Sequence, residues 1–146
     1  MTRDESGQLT PLIIGFAVIV LLAVAVVANA SNTFLHRRSL VSWSDGAATV
    51  AAQQVAEQAV YAGRLGETLP VAQDAARAAV LDYIARHDLA ERFDKFSVVT
   101  VSVDGTTGAV TVEFAARVPL ILATETSGFG GGVTVTARTT AVSPLR

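Results

Sequence analysis

Histidine is the first side chain to consider for chemistry in this chain. The two histidines, His36 and His87, are 51 residues apart in sequence and do not form a pair at ligand spacing. A zinc site takes three or four protein ligands, and without cysteine there can be no thiolate site, disulfide or cysteine nucleophile. We therefore predict no metal site. His36 is interpreted as a lipid headgroup contact, and His87 as a charge at the end of a helix.

Three serines, Ser39, Ser42 and Ser44, lie near His36 and Asp45. A nucleophile, a base and an orienting carboxylate could come from such a set, but a triad is defined by geometry. The strained Gly-x-Ser-x-Gly turn that exposes a catalytic serine is missing from the sequence. The serines are better explained as polar positions on a solvated helix, and we predict that the protein is not an enzyme.

The glycine-rich stretch Gly128–Gly132 could suggest a phosphate-binding loop. It lacks the lysine and the Ser/Thr of a P-loop, and a strand pattern rather than a helix follows it. We interpret it as a flexible connection and predict no cofactor and no small-molecule substrate. The 11 basic and 13 acidic residues give a net charge of −2, and the chain has no basic stripe for a nucleic acid.

The element that decides where the protein works is an uncharged apolar run over residues 11–30. About 20 helical residues span about 30 Å, the thickness of a bilayer's hydrocarbon core. Thr10 is a suitable N-cap, and Pro11 suits the first helical position. The sequence predicts a leader over residues 1–10, a transmembrane helix, and a domain outside the membrane over residues 31–146.

The helix is expected to continue beyond the membrane to about Tyr61, because small and apolar positions recur every seven residues and no proline intervenes. A cleavable secretory signal is the alternative, since Ala28–Ala30 has the small-x-small pattern of a cleavage site. The apolar run is longer than the usual signal core, and the leader is not basic. A mature N-terminus at Ser31 would identify the signal.

Arg37 and Arg38 follow the apolar run closely enough to contact anionic headgroups. The charges on the two sides of the run do not fix its orientation.

The remaining chain predicts a small α+β domain. Pro70 opens an amphipathic helix of about 17 residues, and the hydrophobic period then changes to two. Short connections favour an antiparallel meander with both helices covering one face. The expected strands lie near residues 96–103, 110–116 and 133–141, with a hairpin turn at 104–108 and a mobile loop at 126–132.

Small residues are frequent along the first helix, and they permit close approach of another helix in lipid. Gly15 and Ala25 are the candidate packing positions inside the membrane, and Ala48 and Ala52 are the candidates beyond it. The outer pair could pack against the protein's own sheet or against like helices in an assembly. Both interpretations stay open at the level of sequence.

This arrangement resembles the pilin-like proteins of type IV filaments, and more closely the TadE/TadG-like proteins of tight-adherence (Tad/Flp) pilus systems, especially small actinobacterial forms. The resemblance covers about residues 3–55. It is carried by Glu5–Gln8, Leu9–Pro11 with the apolar helix, the basic pair Arg37–Arg38, and the alanine-rich stretch Asp45–Ala52.

The resemblance implies a minor pilin or pseudopilin held in the cell membrane by a single span, with its C-terminal domain extracytoplasmic and other pilus or secretion subunits as partners. It also implies peptidase processing between Gly7 and Gln8. Leu12 stands at the fifth mature position, where pilins usually carry glutamate, and an uncleaved membrane helix is equally compatible. The alternative function is a secreted or membrane-tethered binding domain whose apolar segment is an export signal.

Overall fold

The computed structural model describes residues 6–62, 69–120 and 131–143. They form an α+β arrangement of a long first helix, further helices and a three-stranded antiparallel sheet, which confirms the predicted fold class. The elements are α1 (Ser6–Ala62), α2 (Leu69–Arg86), α3 (Leu89–Arg92), β1 (Asp94–Val103), β2 (Val110–Pro119) and β3 (Gly132–Ala141).

Helix α1 begins at Ser6, earlier than the Thr10 boundary that its capping residues predict. Pro11 therefore lies inside the helix, where it has no N–H to donate to the carbonyl of Gly7. At its other end α1 stops at Ala62, one residue past Tyr61. Residues 1–5 of the expected leader lie outside the described part of the chain.

The sheet has the order β1-β2-β3, with both pairs antiparallel. The first connection is a tight turn in which the Asp104 carboxylate accepts hydrogen bonds from the backbone N–H groups of Thr106 and Thr107, each at 2.8 Å. These donors favour the charged form and hold the pKa of Asp104 below its usual value. Gly108 completes the turn at a φ of 68°. The expected loop at 126–132 lies, up to residue 130, outside the described residues.

The core forms where the second half of α1 packs on the sheet. β2 is buried at nearly every other position and contributes Val112 and Phe114, which are fully buried. Alanines face it from α1, and their small side chains allow the helix backbone to lie close to the strands. The buried positions of α1 follow the spacing of one helical face: Leu40, Ser44, Ala47, Ala48, Ala51, Ala52 and Val55.

Helix α2 covers β1 and lies against α1. The side-chain amide of Gln73 binds the edge of the sheet twice, by donating to the carbonyl oxygen of Val101 at 2.6 Å and accepting from the N–H of Val103 at 2.9 Å. The short helix α3 follows a turn in which Asp88 has a positive φ of 52°. The sequence patterns do not predict α3, because four residues are too few for a periodic signal.

Candidate functional surfaces of the first helix

The first half of α1 makes no core. Within Leu9–Val60 an 18-residue window has a mean hydropathy of 3.0, and none of it is buried. Leu12 and Leu21 are 69% and 68% exposed, and the large apolar side chains around them are similarly open. Soluble monomers rarely present a continuous apolar surface of this extent. By length and composition, this part of α1 is a candidate membrane span.

The two small residues predicted to pack inside the membrane lie in this open half. Gly15 is exposed and Ala25 is partly exposed. A Cβ added at Gly15 would have no atom within 4 Å. The glycine is therefore not required by the protein's own packing.

The two small residues predicted beyond the membrane lie elsewhere in the fold. Ala48 is fully buried and Ala52 is 2% exposed, and both belong to the core between α1 and the sheet. The sequence left two interpretations open for these alanines. In the structure they pack against the protein's own sheet. The α1 surface that stays accessible to another subunit therefore does not include this pair.

The strand β2 runs back along α1 toward the apolar half. Ser44, in the middle of the core, donates to the carbonyl oxygen of Val112 at 3.3 Å, and Asn32 donates to that of Pro119 at 3.0 Å. Asn32 lies two residues past the apolar run. One end of the sheet is therefore attached to α1 directly beside the candidate membrane span.

Ser44 also corrects an expectation. Of the three serines near His36, Ser39 and Ser42 are exposed, whereas Ser44 is fully buried and is bonded to a strand. It lies four residues after the buried Leu40, and that spacing alone places it on the core face of the helix. The serines therefore point to different sides of α1 and do not form a common site.

An aromatic cluster holds α1, α2 and the turn before α3 together. The Trp43 ring lies 6.2 Å from the Tyr83 ring and 5.2 Å from the His87 ring, and the Arg92 guanidinium carbon lies 5.6 Å above the Trp43 ring. Burial raises the pKa of the Tyr83 phenol, because it disfavours the phenolate. Trp43 thus contacts the second and third helices and the turn between them.

The two basic residues predicted to contact headgroups are exposed. Arg37 and Arg38 follow the exposed Phe34 and Leu35 on α1. The ring of His36, in the same turn, lies 6.5 Å from the ring of Phe93 at the start of the sheet. Positively charged side chains therefore lie where the exposed apolar surface of α1 ends.

Comparison with known families adds the deciding observation. Residues 7–54 match the family described as putative Flp pilus-assembly TadE/G-like. These residues are therefore similar to a TadE/G-like domain. No match was found among curated proteins or among solved structures. The match supports a component of Tad pilus assembly.

The TadE/G-like match lies entirely within α1. It begins at Gly7, one of the two residues proposed for processing, and it includes both the open apolar half and the alanines of the core. The sheet and α2 lie outside the match. The matched residues thus form one helix whose apolar first half is exposed and whose second half is covered by the domain.

Proposed function

We propose that this protein is a minor pilin-like subunit of a Tad-type pilus or of a related secretion apparatus. It crosses the cell membrane once through residues 11–30 and carries its α+β domain, residues 31–146, on the extracytoplasmic side. The observation that carries the proposal is that the TadE/G-like match coincides with a helix whose first half is apolar and unburied. The role is assembly rather than catalysis.

Helix–helix association in lipid is the proposed working mechanism. Lipid tails are as apolar as leucine, so close packing rather than the hydrophobic effect stabilises such contacts. Gly15 and Ala25 lie about 80° apart around α1, at 100° per residue, and so share one side of the helix. The open space around Gly15 would admit the backbone of a neighbouring helix.

The same mechanism requires that the apolar segment is retained. The TadE/G-like match extends across Ala30, and α1 is unbroken there, which supports one continuous helix in the mature protein. The intact mass of the protein purified from membranes tests this. A mature N-terminus at Met1 or Gln8 agrees with retention, whereas one at Ser31 would contradict it and favour the secreted binding domain.

A pair of matched substitutions tests the packing surface. Ala25→Leu should reduce co-purification with other membrane-bound pilus components, since it adds bulk where a partner helix is proposed to lie. Ala23→Leu is the matched comparison, because it makes the same change at nearly the same depth about 160° around the helix from Ala25, on the other flank of Gly15. The pair therefore tests on which flank of Gly15 the partner helix packs. If both variants co-purify like the wild type, or if both fail equally, helix packing through Ala25 is refuted.

The biological role has its own test. Deletion of the gene should abolish or thin the surface pili, and a copy of the gene should restore them. Unchanged pili after deletion would contradict a role in pilus assembly.

A further inference from the structure

A groove separates α1 from α3 at the membrane-proximal end of the domain. Its volume is about 410 Å³, and it opens to solvent. The side chains that line it are mainly polar, aromatic or cationic and include Asn32, His36, Ser39, Trp43, Arg92 and Phe93. We propose that this groove binds the phosphate headgroup of an anionic phospholipid.

Arg92 provides the positive charge. Its Nε donates to the carbonyl oxygen of His87 at 3.0 Å, and its guanidinium carbon lies over the Trp43 ring. Among the described residues, no hydrogen bond or ion pair uses its terminal nitrogens. A guanidinium held in this way offers paired N–H donors to a phosphate, for which arginine is well suited.

The other polar groups of the groove agree with an anionic ligand. The Ser39 hydroxyl and the His36 imidazole can each donate a hydrogen bond, and Arg37 and Arg38 add positive charge on the same turn of α1. None of the lining residues is acidic. Glu91 and Asp94 are adjacent to the α3 residues of the groove in sequence, but both are exposed.

The depth of the groove selects a lipid as the source of the phosphate. Phe34 and Leu35 are 63% and 62% exposed and end the apolar surface of α1, and Leu35 also lines the groove. Ser39 lies one turn beyond Leu35, at about 6 Å along the helix. The headgroup layer on each side of a bilayer is about 5–8 Å thick. Counted from Ala30, the end of the proposed span, His36 lies about 9 Å and Ser39 about 13 Å along the helix. A phosphate in the groove would therefore lie at the outer face of the headgroup layer, with the exposed Phe34 and Leu35 between the groove and the acyl chains.

Trp43 gives a direct signal for this binding, because it lines the groove and is the single tryptophan of the chain. The full chain in a neutral detergent is titrated with a short-chain phosphatidylglycerol, and Trp43 emission is recorded. We expect a saturable change with phosphatidylglycerol and none with the matching phosphatidylcholine. An equal response to the two lipids refutes the proposal, and so does the same response at the same concentration of inorganic phosphate, since the site would then bind free anions.

Two serine variants locate the effect in the groove. Ser39→Glu places a negative charge in it and should weaken phosphatidylglycerol binding about tenfold or more, the scale of a hydrogen bond to a charged group. Ser42→Glu makes the same change at an exposed position of α1 outside the groove and should bind nearly as the wild type does. Equal binding by the two variants, whether strong or weak, contradicts the assignment.

Arg92→Gln tests the groove independently. Because the substitution itself alters the surroundings of Trp43, bound lipid is measured by native mass spectrometry instead of fluorescence. It should retain less phosphatidylglycerol than Arg138→Gln, which removes an exposed arginine from β3. Circular dichroism establishes that both variants are folded. Equal retention would overturn the proposal.

Discussion

Gly46 allows Tyr83 to pack closely against α1. The structure therefore predicts whether replacing this glycine by alanine stabilises or destabilises the domain. A Cβ at this position would overlap the Tyr83 hydroxyl oxygen and lie 2.9 Å from Cζ. Carbon atoms in favourable contact are about 3.5–4.0 Å apart, so the ring must move. It has little room, because the centroid of the His87 ring is only 4.5 Å from that of Tyr83.

Two opposing terms decide the result of Gly46→Ala. Alanine is favoured over glycine inside a helix by about 1 kcal/mol, whereas overpacking in a well-packed region costs about 1–3 kcal/mol. We therefore expect a net loss of stability of about 1 kcal/mol. In a Tyr83→Leu background both clashing atoms are gone, and the same substitution should stabilise the domain by about 1 kcal/mol.

The assay is amide hydrogen exchange of β2 in the full chain, which reports the opening free energy of the domain without contributions from the apolar half. The four proteins form a double-mutant cycle with an expected coupling of about 2 kcal/mol. If Gly46→Ala had the same effect with and without the Tyr83 ring, the close packing of this ring on α1 would be refuted.

Three further predictions concern the contacts of the domain. Asn32→Ala removes the bond to Pro119 and should cost about 1 kcal/mol, seen as faster amide exchange confined to the C-terminal end of β2; unchanged exchange there would contradict the attachment. Ser44→Val should lower the urea midpoint, since overpacking costs about 1–3 kcal/mol, whereas Ser42→Val at an exposed position should not. The hydrogen bonds of the turn lower the pKa of Asp104 in the folded protein. The stabilisation that its carboxylate gives to the hairpin is therefore complete above the ordinary pKa and is lost as pH falls through the lowered value. The protection of the hairpin amides, corrected for the pH dependence of intrinsic exchange, should therefore fall below about pH 4 and depend less on pH in Asp104→Asn. Equal profiles of the two proteins would contradict this.

The sequence predicts α1, α2 and the three strands because each has a clear hydrophobic pattern, whether a continuous apolar run or a helical or strand period. The long uncharged run defines the open half of α1, and the alternating residues on either side of the Asp104 turn define the hairpin. These signals are local, and the structure has the strands where the alternation places them. The TadE/G-like match likewise agrees with a resemblance carried by residues at the start of the chain.

What the sequence does not predict depends on distances between elements. An alanine side chain packs equally well against a sheet or against another helix. Ala48 and Ala52 could therefore not be assigned to the core without the tertiary structure. The groove requires α3 to lie beside the membrane-proximal part of α1, and α3 is too short to give a sequence signal. Only Ser44 had an overlooked signal, namely its spacing from Leu40.

The most direct test of the account asks whether the apolar half of α1 lies in lipid. The chain has no cysteine, so single cysteines can be introduced and labelled in intact membranes with a water-soluble maleimide. Leu21 is 68% exposed in the isolated fold, and Leu21→Cys should nevertheless stay unlabelled until a detergent dissolves the membrane. Arg138→Cys, on the exposed side of β3, should react at once when the reagent is on the side of the domain. Equally fast labelling of both cysteines in intact membranes would contradict the account.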